Sequence, residues 1–124
     1  MCDYIAGALP HIQGNSVKAI ATLTRERTAV LPNLATGHEQ GLAGFDAPGW
    51  YAFSAPKGTP DAIIRRLNRA MSDALDTPAV GDRLRDLGTI PVRPKRRTPE
   101  YLTQFIMSEI EKWAAPIRAS GVVY

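Results

Sequence analysis

Cysteine is almost absent from this 124-residue chain, and so are long apolar runs. Cys2 is the only cysteine, so the chain can form neither an internal disulfide nor a metal site built from several cysteines. No stretch reaches the ~20 apolar residues of a membrane-spanning helix, and residues 1–7 lack the basic leader and apolar run of an export signal. The chain as it stands is predicted to carry no signal peptide and no transmembrane helix.

The patterns of common catalytic and metal sites are also lacking. His11 and His38 have no second ligand at metal-binding spacing. None of the five serines, at positions 16, 54, 72, 108 and 120, lies in a Gly-x-Ser-x-Gly turn, and the glycines do not form a dinucleotide-binding loop. We therefore expect no catalytic residues, no metal, no cofactor and no enzymatic activity.

Positive charge is modest and concentrated in one segment. The formal net charge is +3, and four of the five residues at 93–97 are basic. Nucleic-acid-binding proteins usually spread cations over a face so that many phosphates are contacted together. A solvated loop and no nucleic-acid partner are therefore predicted. Binding of nucleic acid through this segment is the alternative, and it would weaken steeply with added salt.

The apolar spacing predicts four helices and few strands. A short helix is expected at residues 5–13, strands at 17–24 and 49–55, and an edge strand at 89–92, where Pro91 cannot donate to a central ladder. Three further helices are expected after the pairs Thr59-Pro60, Thr77-Pro78 and Thr98-Pro99, in which each threonine hydroxyl is predicted to cap the first turn.

A single helical turn is predicted between the first two strands. Thr36 and Glu39 have the spacing of a capping box, in which each side chain accepts a hydrogen bond from the other residue's backbone N–H. Gly41 is expected to end this turn.

The predicted helices carry more apolar surface than two strands can cover. The last helix alone presents six large apolar side chains at helical spacing: Leu102, Phe105, Ile106, Ile110, Trp113 and Ile117. A typical sheet has about five or six strands. Two explanations are open: the chain pairs with a second copy of itself, or it is the C-terminal part of a longer protein.

Asp3, Tyr4 and Trp50 are the candidate ligand contacts. Asp3 and Tyr4 precede the helix at Ile5, where an incoming strand would end, and ligands of α/β sheets bind at the carboxyl ends of strands. The alternative for Asp3 is a helix N-cap. The alternative for Trp50 is a place in the core rather than in a cleft wall.

Read in order, the motifs resemble the C-terminal part of the Bug-type solute receptors of tripartite tricarboxylate transporters. The resemblance rests on Cys2-Asp3, Ala8-Leu9-Pro10-His11-Ile12, residues 17–24, Leu31-Pro32, Thr36, Glu39, Gly41-Leu42, Gly44-Phe45, Trp50, Phe53, Ala55-Pro56, Gly58-Thr59-Pro60, Leu67-Asn68, Leu87-Gly88, Pro99-Glu100, Trp113 and Gly121. Two departures are Ala35, where the family has proline, and the basic segment 93–97, where the family is less basic.

The resemblance implies an α/β fold, part of a type II periplasmic-binding-protein-like fold with a few-stranded sheet and amphipathic helices. Residues 1–45 would belong to the second lobe, and residues 46–124 would supply the crossover strand and helices that pack on the first lobe. The implied function of the full-length parent is periplasmic binding of a small carboxylated solute for delivery to membrane transporter subunits. A stand-alone structural or interaction domain that homodimerises to complete its core is the alternative.

Overall fold

The computed structural model describes residues 2–121, and its regular structure is helical. The helices are α1 at Ile5–Gln13, α2 at Asp61–Leu75, α3 at Pro78–Asp86 and α4 at Pro99–Ala119, with a 3₁₀ turn at Pro94–Arg96. All four predicted helices are confirmed, with α2 beginning one residue later than expected. No helix within the described range is long and apolar enough to cross a membrane.

Only one of the three predicted threonine caps forms. The Thr98 hydroxyl accepts a hydrogen bond from the backbone N–H of Tyr101 at 3.1 Å, as expected. Thr77 occupies the N-cap position of α3 but makes no side-chain capping bond. Since α2 begins after Pro60, the Thr59 hydroxyl lies too early to cap it and donates instead to the Pro56 carbonyl at 2.8 Å.

The predicted strands at 17–24, 49–55 and 89–92 do not form strands in the described residues. The pairing that does form is an isolated parallel bridge between Thr22 and Thr36. A strand is stable only when its backbone groups pair with neighbouring strands. Pro91 has no N–H to offer, and the other two segments do not pair with each other. The predicted few-stranded sheet is thus reduced to this bridge.

The loop at 20–47 is held together around a capping box. The Thr36 backbone N–H donates to Glu39 Oε2 at 2.7 Å, and the Glu39 backbone N–H donates to Thr36 Oγ1 at 3.1 Å. Arg27 Nε contacts both Glu39 carboxylate oxygens, at 3.0 and 2.9 Å. Thr36 is 1% exposed, and Gly41 ends the turn with a φ of 92°. The predicted capping box is confirmed, and the ion pair with Arg27 holds the Glu39 side chain in place.

Glu39 makes the stability of this loop dependent on pH. The hydrogen bond from Arg27, and then that from the Thr36 backbone, hold the pKa of Glu39 below its usual value. Because its pKa is lower in the folded state, the charged Glu39 carboxylate stabilises the fold at pH values above its unfolded-state pKa of about 4.3. This stabilisation is lost as the pH falls through the folded-state pKa. The Glu39→Gln variant is expected to have a lower urea midpoint of unfolding than wild type at pH 7, and this difference in midpoint should close below about pH 4. A Glu111→Gln control should show little difference, and a gap that persists in acid would contradict this account.

The described residues divide into two compact units. Unit 1 comprises Met1–Tyr51 and Leu75–Pro91, and unit 2 comprises Ala52–Ala74 and Val92–Tyr124. Among described hydrophobic side chains only Leu9 is classed as buried, at 7% exposure, whereas Ile110 on α4 is 58% exposed. The expected surplus of uncovered apolar helix surface is therefore present. The lobe boundary near residue 45 stays a prediction.

Candidate functional site

Asp3 lies at the N-terminus of α1 but does not cap it. The N-cap residue is Tyr4, whose carbonyl accepts from the N–H groups of Gly7 and Ala8 at 3.0 Å each. The Asp3 carboxylate is exposed, accepts a hydrogen bond from the Tyr4 backbone N–H at 2.7 Å, and lies over the first turn near Gly7. The N-cap alternative for Asp3 is thus wrong, because the helix begins one residue later than that role requires. Carboxylate oxygens remain accessible to a hydrogen-bond donor from solvent.

Tyr4 forms an aromatic pair with Tyr51. Their ring centroids are 4.9 Å apart at an interplanar angle of 34°, a tilted contact. Tyr4 is 47% exposed and Tyr51 64% exposed, so both rings also face solvent. The pair joins the start of α1 to the segment after Gly49.

Gly49 permits this contact. A Cβ built on Gly49 would clash with Tyr4 Cε1 and Cδ1, because it would lie far closer to them than non-bonded carbon atoms approach. The backbone at residue 49 therefore lies close against the Cδ1–Cε1 side of the Tyr4 ring. Any larger residue at this position would push the ring away.

Trp50 stands between Gly49 and Tyr51 and is 39% exposed. It is therefore not a core residue of the described chain. The structure thus brings Tyr4 together with the segment that carries Trp50, and Asp3 adjoins Tyr4 in sequence. Gly49 and Tyr51 were not predicted as site residues. The signal available for them was the Gly-Trp-Tyr sequence itself, which resembles an ordinary strand start.

The groups at the candidate site are suited to contacting a ligand. Three arginines of unit 1 are committed to carboxylates elsewhere, in the pairs Arg25–Asp46, Arg27–Glu39 and Arg85–Asp82. Among the described residues no three His, Cys, Asp or Glu side chains cluster so that they could hold a metal ion. What the candidate site offers is one carboxylate, aromatic surface and backbone groups. These can accept hydrogen bonds from a ligand and pack against its carbon skeleton.

Comparison with known proteins identifies the family. Residues 1–122 match the family described as the tripartite tricarboxylate transporter family receptor. The chain belongs to this family. The resemblance noted from the motifs is therefore confirmed, and the family consists of solute-binding receptors rather than enzymes.

Individual members of the family support the match. The chain is 37% identical over 119 residues to Protein BugT of Bordetella pertussis, covering 96% of this chain and 36% of BugT. It is 42% identical to MatC from Rhodopseudomonas palustris, solved with bound malate, with a TM-score of 0.86 over 91% of this chain and 38% of MatC. The periplasmic binding protein BugD is 30% identical, with a TM-score of 0.84 over 93% of this chain and 38% of BugD.

These comparisons settle the fold class. The backbone follows that of periplasmic binding proteins, so the predicted class is confirmed although the described residues form no sheet ladder. The chain spans about a third of the length of the curated relatives it matches. A sheet requires several strands, and one third of such a fold supplies too few of them.

Proposed function

We propose that this chain supplies the C-terminal third of a periplasmic receptor that binds small carboxylated solutes and passes them to the membrane subunits of a tripartite tricarboxylate transporter. The family match over residues 1–122 carries the proposal. The 42% identity to malate-bound MatC favours a small dicarboxylate as the solute. No catalytic step is part of the proposed function.

The lobe assignment follows from the same proposal. Residues 1–45 contribute to the second lobe, and residues 46–124 cross back and pack their helices on the first. The uncovered apolar side chains of α2 and α4, such as Leu67 at 51% exposure and Ile110 at 58%, agree with this arrangement. In a complete receptor these side chains would lie against the first lobe.

In this arrangement Asp3, Tyr4 and Trp50 face the solute. The Asp3 carboxylate would accept a hydrogen bond from a hydroxyl group or a bridging water, since direct contact with a solute carboxylate would be repulsive. The paired Tyr4 and Tyr51 rings would pack against the solute's carbon chain. Binding sites of this kind enclose most of the ligand, so a chain that supplies one wall alone holds it weakly.

Calorimetry on a longer receptor that carries this segment tests the proposed function. Titration with malate, adipate and a tricarboxylate is expected to show binding of at least one, with an affinity at least 100-fold weaker in the 124-residue chain alone. Absence of binding across the panel would contradict the solute class. Equal affinity in the short chain would contradict the division of the site between segments.

A second candidate is a stand-alone interaction domain that homodimerises. The exposed apolar side chains on α2 and α4 favour it, because burying them against a second copy would complete a core. Light scattering distinguishes the two. A dimer across the micromolar range would favour the domain, and a monodisperse monomer that binds no apolar dye would exclude it.

A further inference from the structure

Charge is distributed unevenly between the two units. Unit 2 contains ten lysine and arginine residues against five aspartate and glutamate residues, whereas unit 1 contains five against seven. Unit 2 is therefore strongly basic, although the net charge of the whole chain is modest. The excess lies mainly in the segment at 93–97, which has four cations and no anion, while α2 adds three arginines against two aspartates.

Arg97 fixes this basic segment against α2. Its Nη1 donates to the Ser72 carbonyl at 3.2 Å, its Nε donates to the Val92 carbonyl at 2.8 Å, and its own carbonyl accepts from Asn68 Nδ2 at 2.5 Å. Ser72 lies in the last turn of α2, where carbonyls lack helical partners and the helix dipole favours a cation. Arg97 is thus a structural residue, and it holds its basic neighbours beside α2.

Five cationic side chains remain exposed around this junction. At 100° per residue, Arg65 and Arg69 lie within about 60° of Ser72 around α2, on the side that contacts the segment at 93–97. Both are exposed, as are Arg93, Lys95 and Arg96. We refer to these five residues as the basic surface.

Few acidic side chains offset the basic surface. Asp61 pairs with Arg65 at 3.2 Å, with both side chains largely exposed, and a pair of this kind is weak. Asp73 on α2 and Glu100 on α4 are the other neighbouring carboxylates in sequence. Cations therefore outnumber anions here, and the surface attracts polyanions.

The aromatic contacts disfavour nucleic acid as the polyanion. Single-stranded nucleic acids gain affinity by stacking bases on exposed aromatic rings. Tyr101, the aromatic residue beside the basic surface, has the Arg96 guanidinium 5.8 Å from its ring centroid and the Phe105 ring stacked at 6.2 Å. The faces of the Tyr101 ring are therefore already in contact with Arg96 and Phe105, and a nucleic-acid base cannot stack on them without displacing these side chains.

An exposed apolar side chain next to the cations favours a lipid bilayer as the polyanion that the basic surface binds. Val92 is 47% exposed and directly precedes Arg93. Surfaces that combine cations with exposed apolar groups bind the headgroup region of anionic bilayers, where each basic residue contributes about a fivefold gain in affinity. We propose that the basic surface docks unit 2 onto the anionic phospholipid headgroups of a membrane, independently of solute binding.

Vesicle co-sedimentation of the 124-residue chain tests the proposal. Vesicles of phosphatidylcholine with 30% phosphatidylglycerol should bind the chain at 50 mM NaCl, with binding falling steeply by 300 mM, and vesicles of phosphatidylcholine alone should bind little. The double variant Arg93→Glu/Lys95→Glu is expected to bind the anionic vesicles at least about twentyfold more weakly. Both positions are exposed, and an unchanged circular dichroism spectrum confirms that the variant keeps its helices.

A control variant with the same change in net charge distinguishes the effect of the basic surface from the effect of the total charge. Lys18→Glu/Arg83→Glu replaces two exposed cations of unit 1 and should leave vesicle binding within about twofold. The proposal is overturned if this control loses as much binding as the Arg93/Lys95 variant, or if neutral vesicles bind equally well. It is also overturned if a 20-nucleotide single strand binds more tightly than the anionic vesicles.

Discussion

Replacing Gly88 with alanine is expected to lower the free energy of unfolding by about 3 kcal/mol. Gly88 follows α3 with a φ of 72°, in the left-handed region that costs an L-residue about 1–2 kcal/mol. A Cβ there would also lie 2.8 Å from Val30 Cγ2 and 2.9 Å from Ile5 Cγ2. Both neighbours are β-branched and stiff, so they cannot move aside cheaply.

Gly58 provides a matched control for this prediction. Its φ is 86°, yet a Cβ built on it would meet nothing within 4 Å. Gly58→Ala should therefore show only the backbone cost of about 1–2 kcal/mol. Urea unfolding followed by circular dichroism compares the two variants. Equal losses would mean that the end of α3 does not pack against Ile5 and Val30 as described.

Replacing Gly49 with alanine in a longer receptor is expected to weaken solute binding by at least about tenfold. The added methyl group would displace the Tyr4 ring and break its contact with Tyr51, which disrupts one wall of the candidate site. Calorimetry measures the loss. Gly81→Ala is the control, because Gly81 lies in α3 of the same unit and its Cβ would lie at an ordinary 3.6 Å from Arg85 Nη1.

A double-mutant cycle shows whether Gly49 acts through Tyr4. If the loss at Gly49 comes from displacing the tyrosine ring, Gly49→Ala should cost little extra in a Tyr4→Ala background. Additive losses in the double variant would mean that Gly49 affects the site by another route. Wild-type affinity in the single variant would place Tyr4 outside the site.

Helices were predictable from this sequence because their signals are local. The apolar spacing, the Thr-Pro pairs and the glycines that follow α1, α3 and α4 all act within a few residues. The capping box of Thr36 and Glu39 is local in the same sense. The cap at Thr59 failed because α2 begins one residue later than predicted, whereas Thr77 occupies the N-cap position of α3 without making a side-chain capping bond.

Strands and site contacts were less predictable because they depend on distant residues. The segments at 17–24 and 49–55 have strand-like composition, but a ladder requires neighbours that this third of the fold does not supply. The contact of Tyr4 with Gly49 and Tyr51 joins residues 45 or more positions apart in sequence. Arg97 was assigned to a solvated loop, and its bonds to α2 depend on tertiary packing that composition does not reveal.

A calorimetric titration of the longer receptor with Asp3→Asn tests most directly the proposal that Asp3 faces the bound solute. Asp86→Asn serves as the control, because Asp86 is an exposed carboxylate in the same unit. We predict that Asp3→Asn weakens binding of the preferred dicarboxylate at least tenfold while Asp86→Asn leaves it unchanged. Equal affinities for wild type and Asp3→Asn would contradict the account.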